Sequence, residues 1–373
     1  MRTLTIISHT EHFRNTEGNI VGFGSTVTEI NHLLKIFDTI LHVAMLHDTD
    51  APLSALPYAS NKITFIALPV VGGTSIAGKM SIIYKLPLIL KTIKKAINQT
   101  DYFQFRAPTG IGVFVIPYLM FFSSRKGWFK YAGNWKQNDV PVAYSFQRWL
   151  LKHQKRKVTI NGIWHDQPKQ CLTFENPCID KQNRVLGKQI CKAKEISGKL
   201  NYCFVGGMNS NKGVDKIIEV LSEITQHDNF GTFHFVGGGA LLGDLKKRSQ
   251  SFSNKIVFHG FLAKHDIHAI YEQCHYIVLP SKSEGFPKVI GEAMNYGCVP
   301  IVSDISCIGQ YVQHNTNGLL IHPITTQQLQ EQLMTSLFIE QKQFKTMMMY
   351  NYNLAEKFTY EYYEERIVND IFN

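Results

Sequence analysis

The second half of this 373-residue chain alternates short apolar runs with segments of helical period, and few folds accept that pattern. Tyr202 to Gly206, Thr232 to Val236, Lys255 to Phe261, Tyr276 to Leu279, Val299 to Ser303 and Gly318 to Ile321 read as strands. Between them, Val214 to Thr225 and Ile267 to Gln273 repeat apolar residues at helical spacing. Such alternation predicts a parallel sheet covered by helices on both faces. No repeat of fixed period runs through it, which argues against a solenoid.

One stretch concentrates the chemistry: Ser281-Lys-Ser-Glu-Gly-Phe-Pro-Lys-Val-Ile-Gly-Glu-Ala-Met-Asn-Tyr-Gly297. The strand before it stops at Pro280, and the chain opens into a loop. Pro287 suits the first helical position, where a fixed φ helps and no N–H is needed. Val289, Ile290, Ala293 and Met294 then form one apolar stripe, and Gly297 can close the helix in a left-handed conformation. The expectation is strand, loop, helix, with Glu284 in the loop and Glu292 in the helix. Free N–H groups and the dipole at such a helix start attract phosphates. Each carboxylate can accept two hydroxyl hydrogen bonds, as the vicinal diols of sugars and riboses offer. On spacing alone, an exposed glutamate pair beside an ordinary turn fits equally well.

Glu284-Gly-Phe-Pro-Lys-Val-Ile-Gly-Glu292 resembles the E-x7-E signature of the family 4 retaining glycosyltransferases, and Ser281 to Asp304 resembles that family's donor-site segment almost throughout. The resemblance implies the GT-B fold: two Rossmann-like α/β domains facing a cleft, with a C-terminal helix crossing back to the first. It implies an N-terminal acceptor-binding domain over residues 1–180, rejoined by about 358–373, and a donor-binding domain over 181–357. It gives Glu284 a place beside the donor sugar and Glu292 the nucleotide ribose. Phe204-Val-Gly-Gly-Met-Asn-Ser-Asn-Lys-Gly213 resembles the family's loop ending in Lys-Gly, so Lys212 is the candidate for the donor diphosphate. The family's Arg shortly after this strand is replaced by Gly207 or Met208. Lys288, Arg106 or Arg14 would then supply the second cation. Gly260 and Phe261 fall where the family holds the base through backbone groups. The family's Phe-Gly is Phe286-Pro287 here, which leaves Gly285, Phe286 and Lys288 for backbone contacts. Gly238, in a Gly237-Gly-Gly239 run after a strand, lets a ligand approach the backbone closely.

In the first half, Leu4 to Ser8, Ile40 to Leu46 and Ile63 to Leu68 read as strands, and a polar loop after the first ends in Val21-Gly-Phe-Gly-Ser-Thr26. Gly22 and Gly24, before a helix marked by Val27, Ile30, Leu33, Leu34 and Phe37, could admit a phosphate or could make a flexible turn. The third glycine of a dinucleotide fingerprint is missing. Asp101 to Pro108 reads as a strand ending at a loop. In the resembled family its end carries a His close to the donor sugar, and Arg106 stands there instead. Met80 to Asn98 predicts a helix that Pro87 kinks, Phe114 to Ser123 an apolar helix, and Val142 to Lys157 another. Residues 181–199 are polar and Lys-rich and read as a linker.

Composition narrows the partners. A hydrophobic share of 44% with 18% charged residues describes a soluble, globular chain. The seven scattered cysteines show no metal-ligand spacing and suit a reducing cytoplasm. Met1-Arg-Thr-Leu-Thr-Ile-Ile-Ser runs straight into a strand, so no signal peptide is expected. The formal charge is +10, with 20 Lys and Arg against 10 Asp and Glu in residues 1–178 and 19 of each in 179–373. A basic first half calls for an anionic partner, and no nucleic-acid motif accompanies it. Lys91, Lys94 and Lys95 share a helix face beside Leu86, Leu88, Ile89, Leu90 and Ile93, as in a helix lying on an anionic membrane surface. A solvated face of a core-packed helix has the same pattern. No cofactor and no metal are expected, because the resembled family works without one. Asp48-Thr-Asp50 is the only close Asp pair. The resemblance thus implies transfer of a sugar from a nucleotide diphosphate to an acceptor hydroxyl, in bacterial surface polysaccharide assembly. A lipid-linked saccharide is one such acceptor. The alternatives are a nucleotide-sugar epimerase and a non-catalytic partner subunit, the latter suggested by Gly207.

Overall fold

The structure is a computed structural model describing residues 2–372 apart from 74, 138, 139 and 197. It divides into two compact units. One runs through Glu175 and includes the last residues from Tyr363, and the other is Asn176–Tyr362.

The first unit is built on a nine-stranded sheet. Its elements are β1 (Thr3–Arg14), β2 (Ile20–Phe23), α1 (Gly24–Leu33), β3 (Thr39–Leu46), β4 (Ala55–Pro57), β5 (Ile63–Leu68), α2 (Ile76–Ile97), β6 (Tyr102–Ala107), α3 (Gly112–Phe122), β7 (Lys126–Tyr131), α4 (Val142–Lys152), β8 (Val158–Ile160) and β9 (Cys171–Thr173). The parallel path is β5-β3-β1-β6-β7-β8-β9. β2 pairs antiparallel with the far end of β1, and β4 with β2. Both faces of the sheet are covered. Ile7, Phe103, Phe105 and Phe129 pack with Ile89 and Ile93 of α2 and Val115 and Leu119 of α3. Leu4, Ile6, Ile40 and Trp128 pack with Ile30 and Leu33 of α1 and with Tyr363 and Ile367. Strands buried on two faces are mostly apolar, as these are, with Thr5, His42, Gln104, Arg106 and Lys130 as polar exceptions that hydrogen-bond within the chain.

Two expectations change here. The polar loop after Ser8 is strand as far as Arg14. A register shift between Ile7 and Glu11 lets the polar residues bulge, and His12 and Phe13 are then buried. The helix predicted to reach Lys157 stops at Lys152, ahead of a half-turn at His153.

The second unit carries a six-stranded, all-parallel sheet in the order β12-β11-β10-β13-β14-β15. Its elements are α5 (Lys181–Ala193), β10 (Leu200–Val205), α6 (Val214–Ile224), β11 (Phe230–Val236), α7 (Leu242–Arg248), β12 (Ile256–Gly260), α8 (Lys264–Gln273), β13 (Tyr276–Leu279), α9 (Lys288–Asn295), β14 (Val299–Ser303), α10 (Ile308–Tyr311), β15 (Leu319–Ile321), α11 (Thr326–Leu337) and α12 (Gln341–Leu354), and α13 (Tyr360–Arg366) starts here and passes into the first unit at Tyr363. The expected linker is a helix over most of its length. The Asp180 side chain caps α5 by accepting from the Asn183 N–H, and Gly187, Ile190 and Cys191 bury its inner face. Its apolar stripe is only a few residues wide, so composition masked it. The seven cysteines are free and buried. No helix among the described residues is long and apolar enough to cross a membrane.

Candidate active site

In the second unit, β10 leads through α6 to β11 on one side, and β13 leads through α9 to β14 on the other. The chain therefore leaves these adjacent strands in opposite directions. Open α/β sheets bind ligands at such a switch point, beyond the carboxyl ends of the strands. The loop after β10 carries Lys212 and the loop after β13 carries Glu284, and their charged ends form an ion pair. Around them the loops are tied by backbone and amide bonds. The Lys282 N–H donates to the Asn211 carbonyl at 2.8 Å, and the Asn211 side-chain amide donates to the Ser283 carbonyl at 3.1 Å. Gly213 follows Lys212 with φ +71°, and a Cβ there would lie 2.3 Å from the Pro280 carbonyl oxygen. Only glycine fits that crossing, which sets the lysine's loop against the glutamate's strand.

Pro287 is the residue before helix α9 rather than its first turn. Its ψ of 125° is extended and the helix begins at Lys288. Pro287, at the N-cap, has no side-chain hydrogen bond to offer this helix start. Phe286 anchors the entry, buried against Phe358 at 4.7 Å and Tyr311 at 4.8 Å between ring centroids. The Gly285 carbonyl accepts from the Cys307 thiol. Glu292, one turn into α9, is 14% exposed with the Lys264 ammonium 3.7 Å away. Burial raises its carboxyl above the usual range, against the opposing pull of Lys264 and Lys288. Lys264 also donates to the Cys178 carbonyl at 2.6 Å. Sequence reading passed over Lys264, since nothing in its local pattern ties it to a glutamate 28 positions later.

The other sequence candidates of this unit gather near the β10–β11–β12 ends. Gly238 accepts the Met208 N–H at 2.8 Å, and the Phe261 ring lies so close that a Cβ on Gly238 would meet it at 2.8 Å. Gly260 has φ +69° and accepts the Gly237 N–H at 2.7 Å. Phe261 is exposed. Where the family's arginine was sought, Met208 is fully buried and Gly207 has no side chain, so neither supplies a cation.

The first unit revises three readings. Arg106 was expected as a strand-end cation. It is the penultimate residue of β6, as expected, but it is 11% exposed and already engaged, donating to Glu29 at 2.9 Å and Gln104 at 2.9 Å, while Lys130 donates to the same Glu29 oxygen at 2.6 Å. Strand alternation turns it inward onto the buried α1 carboxylate. Gly22 and Gly24 were read as a turn. Gly22 is in β2, where a Cβ would strike the His12 ring at 2.4 Å. Gly24 opens α1, with its N–H donated to the Ser54 carbonyl at 3.0 Å and a Cβ position 2.6 Å from that oxygen. Close packing within the chain accounts for both glycines.

His12 belongs to a closed ring of hydrogen bonds that the sequence did not announce. The Thr10 carbonyl accepts from His12 Nδ1 at 3.0 Å, which leaves Nε2 to accept from the Tyr58 hydroxyl at 2.9 Å. Tyr58 then accepts from His42 Nδ1 at 2.6 Å, and His42 Nε2 accepts from Ser8 Oγ at 2.8 Å. Ser8 Oγ accepts the Thr10 N–H at 3.3 Å and completes the circuit. Burial holds both imidazoles neutral, His12 at about 4 and His42 well below its usual value.

On α2, Lys91, Lys94 and Lys95 are exposed, and Ile89, Ile93 and Ala96 pack into the core. The outer face of the same helix is also apolar. Ile76, Met80, Ile83, Tyr84 and Leu88 are each more than half exposed.

Comparison with known proteins places these units. The architecture is the GT-B fold: Anabaena Alr3699/HepE, solved in complex with UDP and glucose, superposes with a TM-score of 0.71 at 16% identity, covering 100% of both chains. Residues 188–353 match the family model of glycosyl transferases group 1, and the match lies within the second unit. Among curated relatives, the Escherichia coli UDP-Gal:alpha-D-GlcNAc-diphosphoundecaprenol alpha-1,3-galactosyltransferase is 27% identical over 46% of this chain and 46% of its own. The Streptomyces kanamyceticus alpha-D-kanosaminyltransferase is 25% identical over 34% of this chain and 33% of its own. The chain thus spans about half or less of the length of the curated relatives it matches.

Proposed function

We propose that the protein is a retaining glycosyltransferase that takes its sugar from a nucleoside diphosphate donor. The pairing of Lys212 with Glu284 across the switch point of the unit that matches the group 1 family model is the observation that carries this reading. UDP is the favoured nucleotide, because it occupies the structurally similar HepE. In this reading Glu292 accepts hydrogen bonds from the two ribose hydroxyls, with Lys264 and Lys288 favouring its ionised form against the burial that disfavours it. Glu284 lies beside the donor sugar. Lys212 moves from Glu284 onto the departing diphosphate, whose charge is shared with Lys288 and the start of α9. Gly238, Gly260 and Phe261 line the base. Arg106 acts through Glu29 as a positioning residue of the first unit. Charge neutralisation by these groups makes a metal unnecessary, so turnover in EDTA should equal turnover in Mn²⁺.

The first unit binds the acceptor, a saccharide on a lipid diphosphate of the kind in the name of the E. coli relative. Exposed Lys91, Lys94 and Lys95 beside the apolar outer face of α2 support docking on the anionic inner face of the cell membrane. Surface polysaccharide assembly is the matching role.

A thermal-shift screen of UDP-, GDP- and dTDP-sugars selects the donor, and NMR of the product follows its anomeric proton. The reading requires a glycoside with the donor's configuration. An inverted product, or a free epimerised nucleotide sugar formed without acceptor, would replace it with another chemistry on this fold.

A further inference from the structure

The first unit has its own switch point. From β1 the chain crosses toward β3 on one side, and β6 leads to β7 on the other. Beside the β1 bulge and beyond the carboxyl end of β6 lies a cavity of about 710 Å³, lined by His9 within that bulge, Gly110 after β6, and residues of α2, α3 and α4. That volume is in the range of small-molecule sites.

Its walls are mainly apolar, with Ile82 and Ile83 of α2, Val113 and Phe114 of α3 and Ala143 of α4, and Tyr144 of α4 adds the one hydroxyl among the described lining side chains. His9 Nε2 is already engaged with the Val71 carbonyl at 3.2 Å, and burial keeps the ring neutral. A bare sugar would lose most of its hydrogen bonds to water here and find few replacements, which is costly. Gly110 keeps the floor open, because a Cβ there would meet Ile82 at 3.2 Å and His9 at 3.4 Å. Lys79 stands in the lining as a cation, and its side chain is exposed. Ile83 both lines the cavity and is 53% exposed, so the apolar wall continues onto the outer face of α2 through Met80 and Tyr84.

We infer that this cavity receives the apolar chain of an anionic amphiphile next to its phosphate, with Lys79 on the phosphate and the chain running out along Ile83, Met80 and Tyr84. This rests on the reading of a lipid-linked acceptor and adds where that lipid is gripped. Ordinary burial would leave these apolar side chains covered by the chain's own residues. An open, largely apolar cavity with one lysine among the described lining residues instead matches a ligand with one apolar end and one charged end.

Farnesyl diphosphate is a soluble probe, to be titrated by calorimetry beside inorganic pyrophosphate and farnesol. The expected result is farnesyl diphosphate binding at least tenfold more tightly than either fragment. Ala143→Phe and Val113→Phe, which fill the cavity from opposite walls, should each weaken it about tenfold or more, and Lys79→Glu should do the same. Melting curves establish which filled variant is folded. Pyrophosphate binding as tightly as farnesyl diphosphate would overturn the inference, as would wild-type affinity in a folded filled variant or in Lys79→Glu. UDP titrated into the same wild-type sample separates the two claims. UDP binding without farnesyl diphosphate binding removes the lipid site alone, and failure of both removes the donor reading as well.

Discussion

The Lys212 ammonium rests on the Glu284 carboxylate, and this pair joins the loops that follow β10 and β13. In the unliganded protein each neutralises the other. In the proposed mechanism a diphosphate arriving at the switch point would compete for the lysine and free the carboxylate toward the sugar. The pair is 25% and 13% exposed, and the cost of taking both charges out of water offsets most of their attraction, so its net worth to stability is small. Glu284→Gln and Lys212→Ala should each lower turnover about 10²–10³-fold, the usual loss of one transition-state charge partner. Melting temperatures should move little, since both residues lie in loops. Near-normal turnover in either variant would make that residue a bystander.

Glu292 carries the opposite balance. Its carboxyl is raised by burial, so in the folded state the ionised form is disfavoured relative to the unfolded chain. A raised carboxyl pKa gives stability that is complete below the ordinary carboxylate range and is lost as pH rises through the folded value. Glu292→Gln should therefore melt above wild type at pH 7–8, with the difference closing near about pH 4. The same variant should bind nucleotide more weakly. Wild-type and variant melting curves that stay parallel from pH 4 to 8 would contradict the assignment of that burial cost.

The His12–Tyr58–His42 ring predicts acid sensitivity in the first unit. His12 falls from about 6.5 unfolded to about 4 folded, so the unfolded chain binds the extra proton between those values. Stability is full above pH 6.5 and declines as pH falls toward 4, by an amount on the order of 3 kcal/mol for His12 alone. Tyr58→Phe removes the hydroxyl that links the imidazoles and should lower the melting temperature at pH 7 by several degrees. Urea midpoints measured from pH 4 to 8 check the slope, and a flat profile would refute it.

Docking through α2 has a salt signature. Three lysines at an anionic surface contribute roughly 3 kcal/mol before ordering costs, enough for reversible association. Co-sedimentation with anionic vesicles should fade above physiological ionic strength and should drop in a Lys91/Lys94/Lys95→Glu variant. Equal pelleting with neutral vesicles would leave a soluble acceptor as the better account.

The alternation of strand and helix in the second half made its sheet legible, because strands buried on both faces are mostly apolar. Glu284, Glu292 and Lys212 were legible because a motif fixes each one relative to a strand end. Long-range partners were not. Lys264 meets Glu292 only after α8 and α9 pack in the same unit, and Glu29 meets Arg106 only after α1 folds onto β6. Gly22 and Gly24 misled for the same reason. Glycine records that something comes close, and here it was a histidine ring and a carbonyl of the same chain. Helix α5 was hidden because its buried stripe is narrow and most of the rest of its surface is polar or charged.

The most direct test of the account is nucleotide affinity at Glu292. Calorimetric titration of UDP, or of whichever nucleoside diphosphate the donor screen selects, compares wild type with Glu292→Ala. Hydrogen bonds to a charged group contribute about 1.5–3 kcal/mol, so the variant should bind about 10- to 100-fold more weakly. An unchanged affinity in a folded Glu292→Ala protein would contradict a ribose at this carboxylate, and with it the placement of the donor at the β10–β13 switch point.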